Sequence, residues 1–128
     1  MPCEFVRIML FLKIQSLAYG FSVIRLEVVE RLLLFFNAGV YPIIYQQGSL
    51  GASGDLAPLA HLSLPLIGLG EVYFNGERMS GAAALQKLGL QPLVLEAKEG
   101  LALLNGTQFS TAYAVWCLLK ADRLLEQA

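Results

Sequence analysis

The run GSLGASGDLAPLAH, from Gly48 to His61, is where the chain changes character: a glycine- and serine-rich loop passes into an apolar stretch across Ala52-Ser53-Gly54-Asp55. Asp55 suits a first helical turn, and Pro58 is tolerated near a helix start but not deep inside, so a helix is expected to begin just after Ser53. The triplet ahead of it suits backbone cyclisation. Ser53 carries a β-hydroxyl that can leave as water, Gly54 has no Cβ to hold its amide nitrogen away from the Ala52 carbonyl carbon, and Ala52 adds little bulk. Ring closure followed by loss of the hydroxyl would leave an exocyclic methylidene, an electrophile that no ordinary side chain supplies. The same triplet is also a common loop sequence, and a flexible turn capping a helix accounts for it without chemistry. Two features of the context favour the chemistry: a carboxylate beside the ring-closing amide, and a helix N-terminus whose partial positive charge suits a developing oxyanion.

Working outward, the spacing predicts a mainly α-helical chain. From Glu4 to Tyr19, Phe5, Ile8, Met9, Leu12 and Leu17 recur at helical spacing, with Gly20 placed to end the helix. Glu27 to Phe36 reads likewise: Val28, Leu32, Phe35 and Phe36 share a face, Glu27 and Arg31 stand four apart as an ion pair, and Asn37-Ala38-Gly39 supplies the stop. Val40 to Leu50 has no period and reads as a loop. Beyond the triplet, Pro65 kinks or ends the helix. Asn75-Gly76, between Val72-Tyr73-Phe74 and Glu77-Arg78-Met79, signals a small β-hairpin over residues 71–79. Ser80 can cap a helix from Ala82 to Leu88 that Gly89 stops, and two more helices are expected over Glu96 to Leu104 and Thr107 to Leu125.

Composition excludes several function classes. The chain has 128 residues, 56% of them hydrophobic and 15% charged, which is more apolar than an average soluble domain and fits an inner slice of a larger assembly. A net charge of -1 gives no footprint for nucleic acid and no polybasic membrane patch. No uninterrupted stretch reaches the roughly 20 apolar residues of a membrane span, so a cytoplasmic soluble protein is expected and a small helical membrane protein is disfavoured. Cys3 and Cys117 lie far apart and His61 is the only histidine, so no metal site is expected. The cysteines read as buried small hydrophobes.

Four separated motifs point to a family: LKIQSLAYGFS at Leu12 to Ser22, EVVERLLLFFNAGVYP at Glu27 to Pro42, QGSLGASGDLAPLAH ending at His61, and KEGLALLNGTQ at Lys98 to Gln108. Together they resemble the aromatic amino acid ammonia-lyases, from about Phe5 to about Leu125, and APLAH and NGTQ are more similar to the histidine enzymes than to the phenylalanine or tyrosine enzymes. The resemblance implies a helical core-domain fragment, residues 1–128 forming one piece incomplete at both ends. It implies a methylidene-imidazolone prosthetic group made autocatalytically from Ala52, Ser53 and Gly54, with Asp55 assisting its formation and with no metal or soluble cofactor. The activity implied is that of a carbon–nitrogen lyase converting L-histidine to trans-urocanate and ammonia in a homotetramer.

Asn105 matches the family asparagine that contacts the ring and the substrate carboxylate, and a neutral amide offers both donor and acceptor there. Gln108 stands beside it, though a polar residue starting a helix explains it as well. The family's β-proton base is a tyrosine upstream of this segment, and Tyr19, Tyr41 and Tyr45 do not match its motif. The segment alone is therefore expected to be inert. His61 lies about two turns beyond Ser53, and its ring is expected to pack or hydrogen-bond within the scaffold, among core leucines Leu59, Leu62, Leu64 and Leu66.

Two positions depart from the family pattern. Val23 stands where the family usually has glycine, and a β-branched residue is strongly disfavoured if that position needs φ above zero. Tyr45-Gln46 stands where Pro-Glu is common, which loosens the loop and removes a charge. Other readings fit the same residues: a phenylalanine or tyrosine ammonia-lyase, an aminomutase sharing the ring, or a non-catalytic helical packing fragment.

Overall fold

The computed structural model describes residues 1–50 and 54–128. Among them the chain is mainly helical, with one small antiparallel sheet. α1 (Cys3–Ala18) turns Phe5, Val6, Met9, Leu10 and Leu17 into the core, together with Lys13. α2 (Leu26–Ala38) buries Val28, Leu32 and Phe35, while Phe36 is half-buried, and Gly39 closes the helix in the left-handed conformation that glycine adopts without penalty. α1 packs against both α2 and α6 (Gln108–Gln127). α3 (Leu56–Ser63) continues through a 3₁₀ turn over Leu64–Ile67, the change falling at Pro65, which cannot donate to the α-helical ladder. Leu59, Leu62 and Leu66 are core as expected; Leu64 is only half-buried, because helical spacing places it on the face opposite the stripe those three share.

The expected hairpin is present as β2 (Glu71–Phe74) and β3 (Glu77–Ser80), with Phe74 opposite Glu77. Asn75 and Gly76 both take positive φ, 53° and 78°, as a tight two-residue turn requires. The sheet has a third strand. β1 (Tyr41–Pro42) lies within the stretch expected as loop and pairs antiparallel with β2, Tyr41 opposite Tyr73 and Pro42 opposite Val72. The Ile43 N–H donates to the Glu71 carbonyl at 2.8 Å. α4 (Gly81–Lys87) follows at once, capped by Ser80 Oγ accepting from the Ala83 N–H at 3.1 Å. α5 is the short helix Glu99–Leu104, starting later than Glu96 because Lys98 takes φ 67°.

Two further expectations are corrected. Glu27 and Arg31 do not form the ion pair: Arg31 donates to the Gln91 carbonyl at 2.8 Å, and Glu27 meets Arg25 at 3.4 Å. Both cysteines are exposed, Cys3 in the first turn of α1 and Cys117 on α6, whose far half also presents Leu118, Leu119, Leu124 and Leu125 to solvent. Among the described residues no helix is long and apolar enough to cross a membrane.

Val23, between α1 and α2, has φ 46° and is 82% exposed. A β-branched side chain in the left-handed region crowds its own backbone, and no burial offsets that cost. Val23→Gly is expected to raise stability by about 1 kcal/mol, the relief of strain being partly offset by the greater freedom of glycine in the unfolded chain. Urea denaturation checks this; an unchanged or lower midpoint would show that Val23 is not strained.

Candidate functional site

Residues far apart in sequence meet where α5 passes into α6. The Asp55 N–H donates to the Gly106 carbonyl at 3.1 Å. Gly54 has φ 95°, a backbone conformation that favours glycine, and it lies against the same carbonyl oxygen, which a Cβ there would stand 3.4 Å from. Ala52 and Ser53 lie outside the described residues. The Asp55 side chain is fully buried and among the described residues accepts hydrogen bonds from Ser49 Oγ, from the Ser110 N–H at 2.9 Å and from Ser110 Oγ at 3.0 Å.

That set of partners corrects the simplest expectation for Asp55. It precedes α3 but makes no side-chain cap there. Its carboxylate serves the first turn of α6 instead, where Thr107 provides no side-chain cap of its own. A helix N-terminus exposes N–H groups with no intrahelical acceptor and carries partial positive charge, so a carboxylate from another segment satisfies it as well as a local one.

Asn105 ends α5 with extended backbone, and its side chain is exposed. Its carbonyl accepts from Lys13 Nζ at 2.7 Å, across 92 residues of chain. Lys13 is 1% exposed, and burial lowers its pKa from 10.5 to about 8. Gly106, at φ 140°, holds a backbone conformation that side chains rarely adopt, and a Cβ there would displace the Gln108 carboxamide oxygen. That oxygen is buried with no hydrogen-bond partner among the described residues, and so it is a polar atom available to something else in the site. The structure thus brings Gly54, Asp55, Asn105 and Gln108 into one neighbourhood.

Arg25 and Glu99 brace the same neighbourhood from the other end of α5. Arg25 Nε reaches Glu99 Oε1 at 2.8 Å and its terminal nitrogen reaches Oε2 at 2.9 Å. Glu99, 2% exposed, also accepts the N–H groups of Arg25 at 3.1 Å and Glu96 at 2.7 Å. Hydrogen bonding from Arg25, against the opposing effect of burial, holds the Glu99 carboxyl at about 2 instead of its ordinary 4.5.

Lys13, Ser110 and Glu99 escaped the sequence reading. A signal existed for Lys13, which stands midway between Met9 and Leu17 on the buried stripe of α1. His61 packs in the scaffold as expected: its ring meets Tyr45 edge-on at 5.3 Å between centroids, its Nδ1 is buried with no hydrogen-bond partner among the described residues, and burial lowers its pKa.

The aromatic amino acid lyase family matches residues 1–128, the whole chain. A histidine ammonia-lyase of Symbiobacterium thermophilum is 59% identical over 128 residues, covering 100% of this chain and 25% of that relative. Among solved structures, a histidine ammonia-lyase from Trypanosoma cruzi superposes with a TM-score of 0.89 at 42% identity, over 97% of this chain and 24% of that one. A phenylalanine aminomutase from Pantoea agglomerans gives 0.90 at 39% identity, over 96% of this chain and 23% of that one. The chain thus spans about a quarter of the length of the curated relatives it matches.

Removing the buried carboxylate should be costly. Asp55→Ala strands the Ser110 N–H and uncaps α6, an expected loss of about 2–3 kcal/mol by urea denaturation, whereas Ser110→Ala keeps the backbone bond and should lose about 1 kcal/mol. Equal small losses would show that Asp55 does not cap α6. The depressed Glu99 carboxyl also makes stability depend on pH. Its contribution is complete above the unfolded value of 4.5 and fades as pH falls toward about 2, because the unfolded chain takes up the proton first. In Glu99→Gln, denaturation midpoints measured across that window should lose this component of the slope.

Proposed function

The chain belongs to the aromatic amino acid lyase family, and we propose that it is the ring-forming segment, incomplete at both ends, of a cytoplasmic homotetrameric histidine ammonia-lyase. Its reaction eliminates ammonia from L-histidine to give trans-urocanate: a proton leaves Cβ, its bonding electrons form the new double bond, and the amine departs from Cα. Relatives of that name at 59% identity support histidine as substrate.

The observation that carries this reading is the meeting of Gly54 and Asp55 with Asn105, Gly106 and Gln108. A methylidene-imidazolone built from Ala52, Ser53 and Gly54 fits these neighbours. Gly54 lies against Gly106, and the Gln108 oxygen, unpartnered among the described residues, and the exposed Asn105 amide are polar groups available beside it. In forming the ring, the Gly54 nitrogen attacks the Ala52 carbonyl carbon. The carbinol hydroxyl leaves with the Ser53 amide proton, and the Ser53 hydroxyl leaves with its own α-proton, so the chain loses two water molecules. Once formed, the ring would supply an electron-accepting methylidene that takes up substrate electrons.

The chain's own residues position the rest. Asp55 fixes the end of the triplet to α6 through its carboxylate and to Gly106 through its N–H. Asn105 offers a neutral donor and acceptor to the substrate carboxylate and the ring without adding charge. The base that takes the β-proton comes from outside this segment.

A second substrate reading has one observation behind it, the likeness to a phenylalanine aminomutase at a TM-score of 0.90. Assays of the complete enzyme on histidine, phenylalanine and tyrosine decide between them, and turnover of tyrosine or phenylalanine with none of histidine would transfer the assignment. Intact-mass measurement tests the ring itself. The peptide from Gly48 to His61 should be lighter than its sequence by two water molecules, and Ser53→Ala should abolish both that deficit and turnover. An unmodified mass in the wild type would leave a non-catalytic packing role. Asn105→Ala should keep the mass deficit but lose about a hundredfold or more in kcat.

A further inference from the structure

We infer that Lys13 is a positioning residue for Asn105, holding the Asn105 carbonyl from behind so that the asparagine amide is presented in one orientation; this rests on the proposed role of Asn105 at the substrate. Lys13 is almost wholly buried on α1, and its hydrogen bond to the Asn105 oxygen is 2.7 Å, the length of a charge-assisted contact. No carboxylate is paired with it among the described residues. Such a lysine is poorly explained by stability alone, because an aliphatic side chain would pack beside Met9 and Leu17 without the cost of removing an amine from water, a cost that already lowers its pKa to about 8.

Its effect follows from where the bond ends. Asn105 is the hinge between α5 and the turn into α6, and two successive carbonyls at that hinge are held from different elements. Lys13 of α1 holds the oxygen of Asn105, and the Asp55 N–H holds the oxygen of Gly106. With both peptide groups fixed, the backbone carrying the Asn105 side chain cannot rotate. With Lys13 shortened, the first is released, and Gly106, lacking a Cβ, offers little resistance to rotation. A small displacement of a group that orients substrate is enough to slow a reaction greatly.

The test is a double-mutant cycle in the complete lyase, with the two-water mass deficit confirming ring formation in every variant. Lys13→Met is expected to lower kcat/KM by about ten- to a hundredfold, and Lys13→Arg, which keeps a charged donor, to retain more activity than Lys13→Met. In an Asn105→Ala background, where no amide remains to be oriented, Lys13→Met should cost less than about threefold. A purely structural lysine would give the same loss in both backgrounds. Equal loss, or wild-type activity in Lys13→Met, overturns the inference while leaving the ammonia-lyase reading intact. An inert, unmodified wild-type enzyme removes that reading and this one with it. If Lys13→Met does not fold, as its denaturation midpoint would report, Lys13→Gln is compared in the same two backgrounds by the same criterion.

Discussion

A single carboxylate with no exposure to water ties the start of one helix to the start of another. Burying an isolated charge costs several kcal/mol, and Asp55 meets that cost with donors that include Ser49 Oγ and, at the first turn of α6, the N–H and Oγ of Ser110. Satisfying this one group places the end of the Ala52-Ser53-Gly54 stretch, the turn at Gly106 and the axis of α6 in a fixed relation. The apolar packing of α1 against α2 and α6 determines where these elements lie in general; Asp55 determines which residues face each other.

The same logic explains how a helix as short as α5 persists. Its six residues are far too few to be stable by backbone hydrogen bonding alone. Each end is held by a charged side chain from an earlier part of the chain: Arg25 grips Glu99 at the first residue, and Lys13 takes the carbonyl of Asn105 just past the last. Both contacts are made by side chains almost removed from water on at least one side, where a bond to a charged group is worth more than at the surface. The helix that presents Asn105 thus depends on α1 and on the segment after it for its orientation.

Features governed by neighbours in sequence were legible without coordinates. α2 and its Gly39 stop, the Asn75-Gly76 turn and the Ser80 cap all follow from residues within a few positions of one another. Features created by remote contact were not. β1 is two residues long and exists because Tyr73 and Val72 arrive beside it, so no periodicity announced it. Lys13 drew no reading from its sequence neighbours because its acceptor is 92 residues away. Arg31 looked like a partner for Glu27, yet a carbonyl in the chain beyond α4 took it. In the candidate site, Asp55, Asn105 and Gln108 were picked out by motif, but that Asp55 serves α6 instead of α3 depended on the three-dimensional path of the chain. Val23 is the reverse case: the sequence marked it as disfavoured if its position needs a positive φ, and it stands at φ 46°.

Pro42 has a consequence for the sheet as a whole. Because Ile43 turns its N–H inward to Glu71, the alternation of a strand turns the Pro42 nitrogen outward, and that nitrogen has no hydrogen to give. A foreign strand approaching this border would find a missing donor in place of a template, while the opposite border bears Glu77 and Arg78. Both margins of the sheet are thereby guarded against edge-to-edge aggregation, a safeguard of some value in a chain this rich in hydrophobic residues.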